Sequence, residues 1–280
     1  MIFSIFVILF FKITKGYIDM RKLMTVLVMA GLAGQAFAAD LLDTVKQRGS
    51  LKIALEGTYP PFNFKDAKQQ LTGFDVEIAT EIAKRLKVKP EFTTAEWSGL
   101  LAGLQAGKFD IVVNQVGVTD KRKDVFDFSQ PYTYSSAQLI VRKNESRVFK
   151  SLADLKGKKL GVGQGSNYAD MAKAVAGIEV KTYPGAPEYL QDLASGRVDA
   201  ALNDSLLIPF AIKQAKLPLK AGAPVGEVAT MAIPFAKNNP QFKAAIDKAL
   251  GDMKADGSFK KISVKWFGID VSKAPVAAKK

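Results

Sequence analysis

Two stretches of this chain end an apolar run on polar side chains, where those groups could meet a ligand together. In Gly107–Tyr132, GKFDIVVNQVGVTDKRKDVFDFSQPY, the strand-like run Phe109, Ile111, Val112, Val113 closes on Asn114 and Gln115. Further on the pattern returns: LQAGKFDIVVNQ and LASGRVDAALND share Leu, Gly, a basic residue, Asp and a terminal Asn at equal offsets. Two similar strand edges predict two similar lobes facing one another across a cleft. Arg122, in Thr119-Asp120-Lys121-Arg122, carries a planar guanidinium that can hold a carboxylate through two parallel hydrogen bonds. Its bland alternative is a surface arginine in a charged turn. Asp204 suits a helix N-cap before Ser205–Gln214, and Asn203 reads as a strand-end residue. Gly163-Gln164-Gly165-Ser166-Asn167 follows a strand and opens a helix, so its N–H groups can face an anion. It lacks the Gly-Lys-Ser/Thr of a phosphate loop and the full Gly-x-Gly-x-x-Gly spacing, so no nucleotide is expected.

Composition removes whole classes of chemistry. The 280 residues include no cysteine and no histidine, which excludes thiol nucleophiles, disulfides, Ser-His-Asp triads and most zinc sites. An enzyme here would have to work with carboxylates, lysines or hydroxyls. At 48% hydrophobic and 24% charged the chain reads as an ordinary globular protein of one large or two smaller domains. The net charge of +13 is spread over scattered lysines, with Lys273, Lys279 and Lys280 at the tail. That is a solvated surface, suited to an anionic membrane or an acidic docking partner, and no nucleic acid is expected.

The N-terminal region reads as an export signal. Met20-Arg-Lys, the apolar run LMTVLVMAGLAG and Ala36-Phe37-Ala38 are a positive start, a short core and a small-x-small cleavage site. The apolar run is shorter than the ~20 residues of a membrane span, and no cysteine follows to carry a lipid. Met20 is the expected start, with residues 1–19 an upstream extension, and the expected location is the periplasm.

The elements that must position the polar groups alternate strand and helix. A helix over Leu41–Arg48, a strand from Leu51, and a rigid loop Glu56–Phe62 displaying Tyr59 and Phe62 come first. A helix from Gly73 to Leu86 with Val76, Ile78, Ala79, Ile82 and Ala83 on one face leads to a strand at Pro90–Thr93 and a helix at Trp97–Ala106. Ala137–Arg142 reads as an extended crossing into a second lobe. There the rhythm repeats with strands at Lys159–Val162, Glu179–Thr182 and Val198–Leu202. Gly226–Phe235 crosses back, and helices at Pro240–Ala255 and Ser258–Trp266 complete the first lobe. The rhythm predicts α/β lobes with mostly parallel sheets.

TYPPFNF, LTGFDVEIATEIAKRL, EWSGLLAGLQAGKFDIVVNQVGVTDKRKDVFDFSQPYTYS, DLKGKKLGVGQGSNY and DGSFKKISVKWFG are similar to the polar amino acid family of periplasmic solute-binding proteins. These are the receptors of ABC-type importers, and the resemblance covers Asp40–Val271. It implies an α/β, two-lobed periplasmic-binding-protein-like fold of type II, with two mixed-sheet lobes joined by two hinge strands. Residues 40–135 and 231–272 would form lobe one and 136–230 lobe two, after a signal region 1–39 and before a tail 273–280. The family match implies that Arg122 holds the ligand carboxylate, with Ser166 and Asn167 completing the grip. It likewise implies that Asp204 holds the ammonium, that Tyr59 and Trp97 form opposite walls, and that Asn114, Gln115 and Gly117 contact the ligand. Glu56 and Phe62 are lesser candidates. The resemblance is closest to cystine-binding members, which puts L-cystine first, ahead of L-cysteine, glutamine and other polar amino acids. No catalytic residue, metal or cofactor is implied; the partner is a membrane permease and the receptor a monomer. The rivals are an enzyme on the same fold, such as a dehydratase of a cyclic carboxylate, and a sensor or adhesin that keeps the fold.

Overall fold

The computed structural model describes residues 40–214 and 217–274, so the expected signal region and most of the expected tail lie outside the described residues. Strand β1 (Ser50–Leu55) is buried along nearly its whole length, as an apolar strand between two parallel neighbours must be. Those neighbours are β5 (Lys89–Thr94) and β6 (Ile111–Val112). Helix α1 (Leu41–Arg48) leads in, and the small sheet β2 (Thr58–Tyr59), β3 (Asn63–Lys65), β4 (Leu71–Thr72) follows β1. Gly73, at φ +130°, then starts α2 (Phe74–Arg85); a side chain there would collide with the Phe62 carbonyl. The expected apolar face of α2 is buried, and α3 (Trp97–Gln105) joins β5 to β6. β6 is shorter than the strand expected from Phe109. The Phe109 ring is instead half-buried against α3, where it occupies the space beside Gly103.

The second sheet has the order β10-β9-β11-β8-β12. Strands β9 (Lys159–Gly163), β10 (Glu179–Tyr183) and β11 (Ala200–Asp204) are parallel, joined through α5 (Asn167–Lys173) and α6 (Ala186–Ala194). Strand β8 (Thr133–Arg142) runs antiparallel to both β11 and β12 (Leu219–Met231), with α7 (Ile208–Gln214) between β11 and β12. This sheet has its own core of Leu139, Leu160, Val162, Ala169 and Leu202. The chain returns through β13 (Pro234–Ala236), which pairs with β7 (Phe126–Phe128). The helices α8 (Pro240–Ala255) and α9 (Ser258–Phe267) then pack on α2.

Two sequence expectations change here. The segment 137–142 is a central strand rather than the crossing; Thr133–Ser136 pair with β12 alone, before β11 joins at Ala137, so the crossing lies at the start of β8. Asp204 is not a helix N-cap. It is drawn into β11 by pairing with Ala137, and the helix starts only at Ile208. Its side chain instead closes the intervening turn by accepting from the Leu206 N–H at 2.8 Å.

Candidate ligand cleft

The carboxyl ends of the strands in both sheets converge on one cavity, the place where open α/β sheets bind ligands. Glu56 follows β1, Trp97 opens the helix after β5, and Asn114 and Gln115 follow β6. From the other lobe come Gly163 at the end of β9, Ser166, Asn167 and Tyr168 at the start of α5, Gly185, Ala186 and Tyr189 after β10, and Asn203 in β11. With Tyr59 these residues line a single partly open cavity of polar and aromatic groups, the kind of concave site that takes small molecules.

The two strand ends behave as equivalents. In each, a helix stops before a left-handed glycine, Gly107 (φ +70°) or Gly196 (φ +81°). In each, the next aspartate accepts from a backbone N–H of the neighbouring strand: Lys52 to Asp110 at 2.7 Å, Lys159 to Asp199 at 3.0 Å. Asn114 and Asn203 then reach the cavity wall.

Arg122 is the one buried residue of its charged turn; Asp120, Lys121 and Lys123 are exposed. The single-turn helix α4 (Asp120–Lys123), capped by Thr119, aims it inward over the Trp97 ring, 5.5 Å from its centroid. The guanidinium donates to the carbonyl of Gly117 at 2.8 Å and, across the cleft, to that of Gly165 at 3.2 Å. Burial lowers its pKa from the usual arginine value, against the opposing pull of the Asp170 charge. Tyr59 also spans the cleft, its hydroxyl donating to Asn203 Oδ1 at 2.7 Å while Asn203 Nδ2 donates to the Tyr189 hydroxyl.

The acidic groups are arranged oppositely. Glu56 is 8% exposed; its Oε2 accepts from Asn114 Nδ2 at 2.8 Å, and burial, aided by the charges of Glu188 and Asp75, raises its pKa to about 7. Asp204 is fully buried beside Tyr168, whose hydroxyl donates to it at 3.4 Å, and it accepts from Ser135. Burial raises its pKa to about 6 against those hydrogen bonds. Asp75, also buried, is pushed up to about 7. Among the described residues, neither Arg122 nor any of these three carboxylates has an ion-pair partner.

Of the residues expected from sequence, Glu56, Tyr59, Trp97, Asn114, Gln115, Ser166 and Asn167 line the cavity. Gly117 lies beside it, facing Asn167 so closely that a Cβ would meet Oδ1 at 3.2 Å. Arg122 stands at its edge behind Trp97, and Asp204 is screened by Tyr168. Phe62 is not displayed. It is fully buried beneath Tyr59, ring centroids 5.0 Å apart, because the loop turns it into the core against Phe267. Ser166 spends part of its capacity as the α5 cap, accepting from Ala169 N–H at 3.0 Å. Asn203, Tyr168, Tyr189, Gly163, Gly185 and Ala186 were missed as site residues. The terminal Asn shared by the two strand ends was the signal for Asn203, and Gly163 opens the motif already singled out while Tyr168 directly follows it.

A two-lobed α/β frame with a polar, aromatic-walled cleft at the strand ends defines a small-molecule receptor class. The chain belongs to the bacterial extracellular solute-binding proteins, family 3, whose model matches residues 51–269. It is 40% identical over 252 residues to the L-cystine-binding protein TcyJ of Escherichia coli strain K12, covering 89% of this chain and 95% of that protein. Among solved structures, an ancestral arginine-binding protein bound to arginine superposes with a TM-score of 0.75 at 39% identity, covering 79% of this chain and 99% of that one. The ancestral amino acid-binding protein AncCDT-1, a precursor of cyclohexadienyl dehydratase, superposes with a TM-score of 0.76 at 33% identity over 81% of this chain and 99% of its own.

Proposed function

We propose that this protein is the exported receptor of an ABC amino acid importer, capturing a free amino acid, L-cystine first, without transforming it. The observation that carries this reading is the pattern of unpaired buried charge. A guanidinium lies at one side of the cleft and carboxylates at the other, each with neutral partners only. Buried charges without counter-ions are costly, and a zwitterion supplies both at once. Arg122 takes the ligand carboxylate, exchanging its bond to Gly165 for a charge-assisted pair, and Ser166 and Asn167 add to the grip. Glu56 faces the cavity for a cationic group, and Asp204 strengthens the field through Tyr168. Trp97, Tyr59, Tyr168 and Tyr189 supply apolar walls.

Capture is coupled to closure. Lobe one, residues 40–135 and 231–272, and lobe two, residues 136–230, rotate about β8 and β12, and a ligand touching both favours the closed form. A membrane permease then reads that form on a monomeric receptor delivered to the periplasm by the leader ending near Ala38. The choice of L-cystine rests on the similarity to TcyJ. A second reading, a basic amino acid, is favoured by the surplus of buried carboxylates and by the arginine-binding neighbour.

The test is a thermal-shift panel of the common amino acids plus L-cystine on refolded protein, freed of any carried ligand. At ligand 100-fold above Kd, linkage gives about 2.7 kcal/mol of stabilisation. A shift with L-cystine supports the full reading, and a shift with arginine or lysine alone selects the second. No shift with any amino acid rejects the receptor and favours an enzyme of the AncCDT-1 lineage or a sensor.

A further inference from the structure

Among the described residues, Asp75 stands out as a fully buried carboxylate that neither lines the cleft nor pairs with a cation. As the second residue of α2 it gains from the helix N-terminus, yet a neutral or apolar residue would avoid its desolvation cost. Its acceptors are all used by side chains. Oδ1 accepts from Gln115 Nε2 at 2.7 Å and from the Tyr132 hydroxyl at 3.0 Å, and Oδ2 accepts from Asn63 Nδ2 at 3.2 Å.

Each of those donors leads somewhere. Asn63 Nδ2 also donates to Asn114 Oδ1 at 2.8 Å, and Asn114 in turn donates to Glu56 on the cavity wall. Gln115, itself on the wall, accepts at Oε1 from the Thr133 hydroxyl at 2.6 Å. The Tyr132 hydroxyl accepts from the Gln115 N–H at 3.1 Å. Thr133 opens β8 and Tyr132 immediately precedes it, where the chain crosses between lobes. One carboxylate therefore connects the three polar wall residues of lobe one to the first hinge strand.

We propose that Asp75 is a positioning residue that sets the hydrogen-bond direction of the lobe-one wall and ties that wall to the hinge. The ionised carboxylate, the form present above about pH 7, only accepts, whereas amides donate at one end and accept at the other. Asp75 thus forces Gln115 to turn Nε2 inward and Oε1 to Thr133, and forces Asn63 to turn its Nδ2 inward. Asn114 must then present Oδ1 to Asn63 and Nδ2 to Glu56, which leaves Glu56 Oε1 for the ligand. An asparagine at 75 would bring a donor against donors and remove that determinacy.

This inference rests on the proposed amino acid site, so the wild type is measured first, by calorimetry with L-cystine and with L-arginine. If neither binds, the amino acid giving the largest thermal shift in the panel is used instead, and if no amino acid binds, the functional reading fails and takes this inference with it. If either binds, the same ligand is titrated into Asp75→Asn, Thr133→Val, Gln115→Ala and the Thr133→Val/Gln115→Ala pair, with cooperative melting as the folding control. Asp75→Asn is expected to raise Kd at least about tenfold while remaining folded, and Thr133→Val to raise it several-fold although it touches no ligand. In the Gln115→Ala background Thr133→Val should have no further effect, which a purely structural role would not produce. Should Asp75→Asn fail to fold, Thr133→Val and its cycle decide. Kd within twofold of wild type for a folded Asp75→Asn or for Thr133→Val, or additive effects in the cycle, would overturn the proposal.

Discussion

The two matching strand ends use the same residue differently. Asn114, after β6, bonds within its own lobe, to Glu56, Asn63 and the Glu56 N–H. Asn203, in β11, bonds across the cleft to Tyr59 as well as to Tyr189 in its own lobe. The first arrangement exists whichever way the lobes stand, and the second exists only when they meet. Lobe one holds its polar wall together by itself, and under the proposed closure lobe two would complete the site. The helix starts show the same division: Trp97 puts an indole into the cleft, whereas Ala186, the first residue of α6, leaves room.

The comparison can be broken by mutation. Arg122→Ala should cost roughly 2–5 kcal/mol of ligand binding by leaving a desolvated carboxylate unpaired, measured by calorimetry. An affinity near that of wild type would remove Arg122 from the site. Asp110 and Asp199 sharpen the structural half of the comparison. Asp110→Ala should lower unfolding free energy by about 1–3 kcal/mol in urea titration, since it leaves the part-buried Lys52 N–H without its acceptor and removes the Arg48 ion pair. Asp199→Ala, in the more exposed copy, should cost less; a larger loss there would mean that the copies are not equivalent. Tyr59→Phe removes one cross-cleft hydrogen bond and should weaken binding by about 0.5–1.5 kcal/mol. Small-angle scattering of the liganded variant should show a larger radius of gyration, and an unchanged radius with unchanged affinity would deny Asn203 its closing role.

A separate effect, on stability rather than binding, concerns pH. The folded-state pKa values of Glu56, Asp75 and Asp204 lie above their ordinary values of 4.5, 3.8 and 3.8, at about 7, 7 and 6. The fold therefore binds more protons than the unfolded chain between about pH 4 and 7, so this contribution is present at low pH and is lost as pH rises through 6 to 7. Ligand-free protein should melt at a higher temperature at pH 5 than at pH 8, and Asp75→Asn should flatten that slope. A melting temperature that rises from pH 5 to 8 would show these carboxylates to be better solvated than their burial implies.

Much of this was legible in the sequence, because the signals were local. Apolar runs ending on Asn114 and Asn203, the glycine stops, and the helix faces follow from spacing alone. The buried state of Arg122 was not: its neighbours are all charged, and only the pairing of β7 with β13 turns that segment into the protein. Which of Asn203 and Asp204 lines the cavity was not legible, for a sharper reason. Consecutive strand residues point to opposite faces, so a one-residue difference decides which reaches the cleft, and only the register against β8 supplies that. Tyr168 and Tyr189 sit on helices whose placement depends on the order of β10, β9 and β11, which no local pattern encodes.

The most direct test of the unpaired-charge account is a calorimetric cycle pairing Arg122 or its alanine variant with the bound amino acid or its carboxamide. The account predicts that removing either the guanidinium or the ligand carboxylate costs roughly 2–5 kcal/mol, and that removing both costs little more than one. Fully additive losses would show that the two groups do not meet, and would contradict the site.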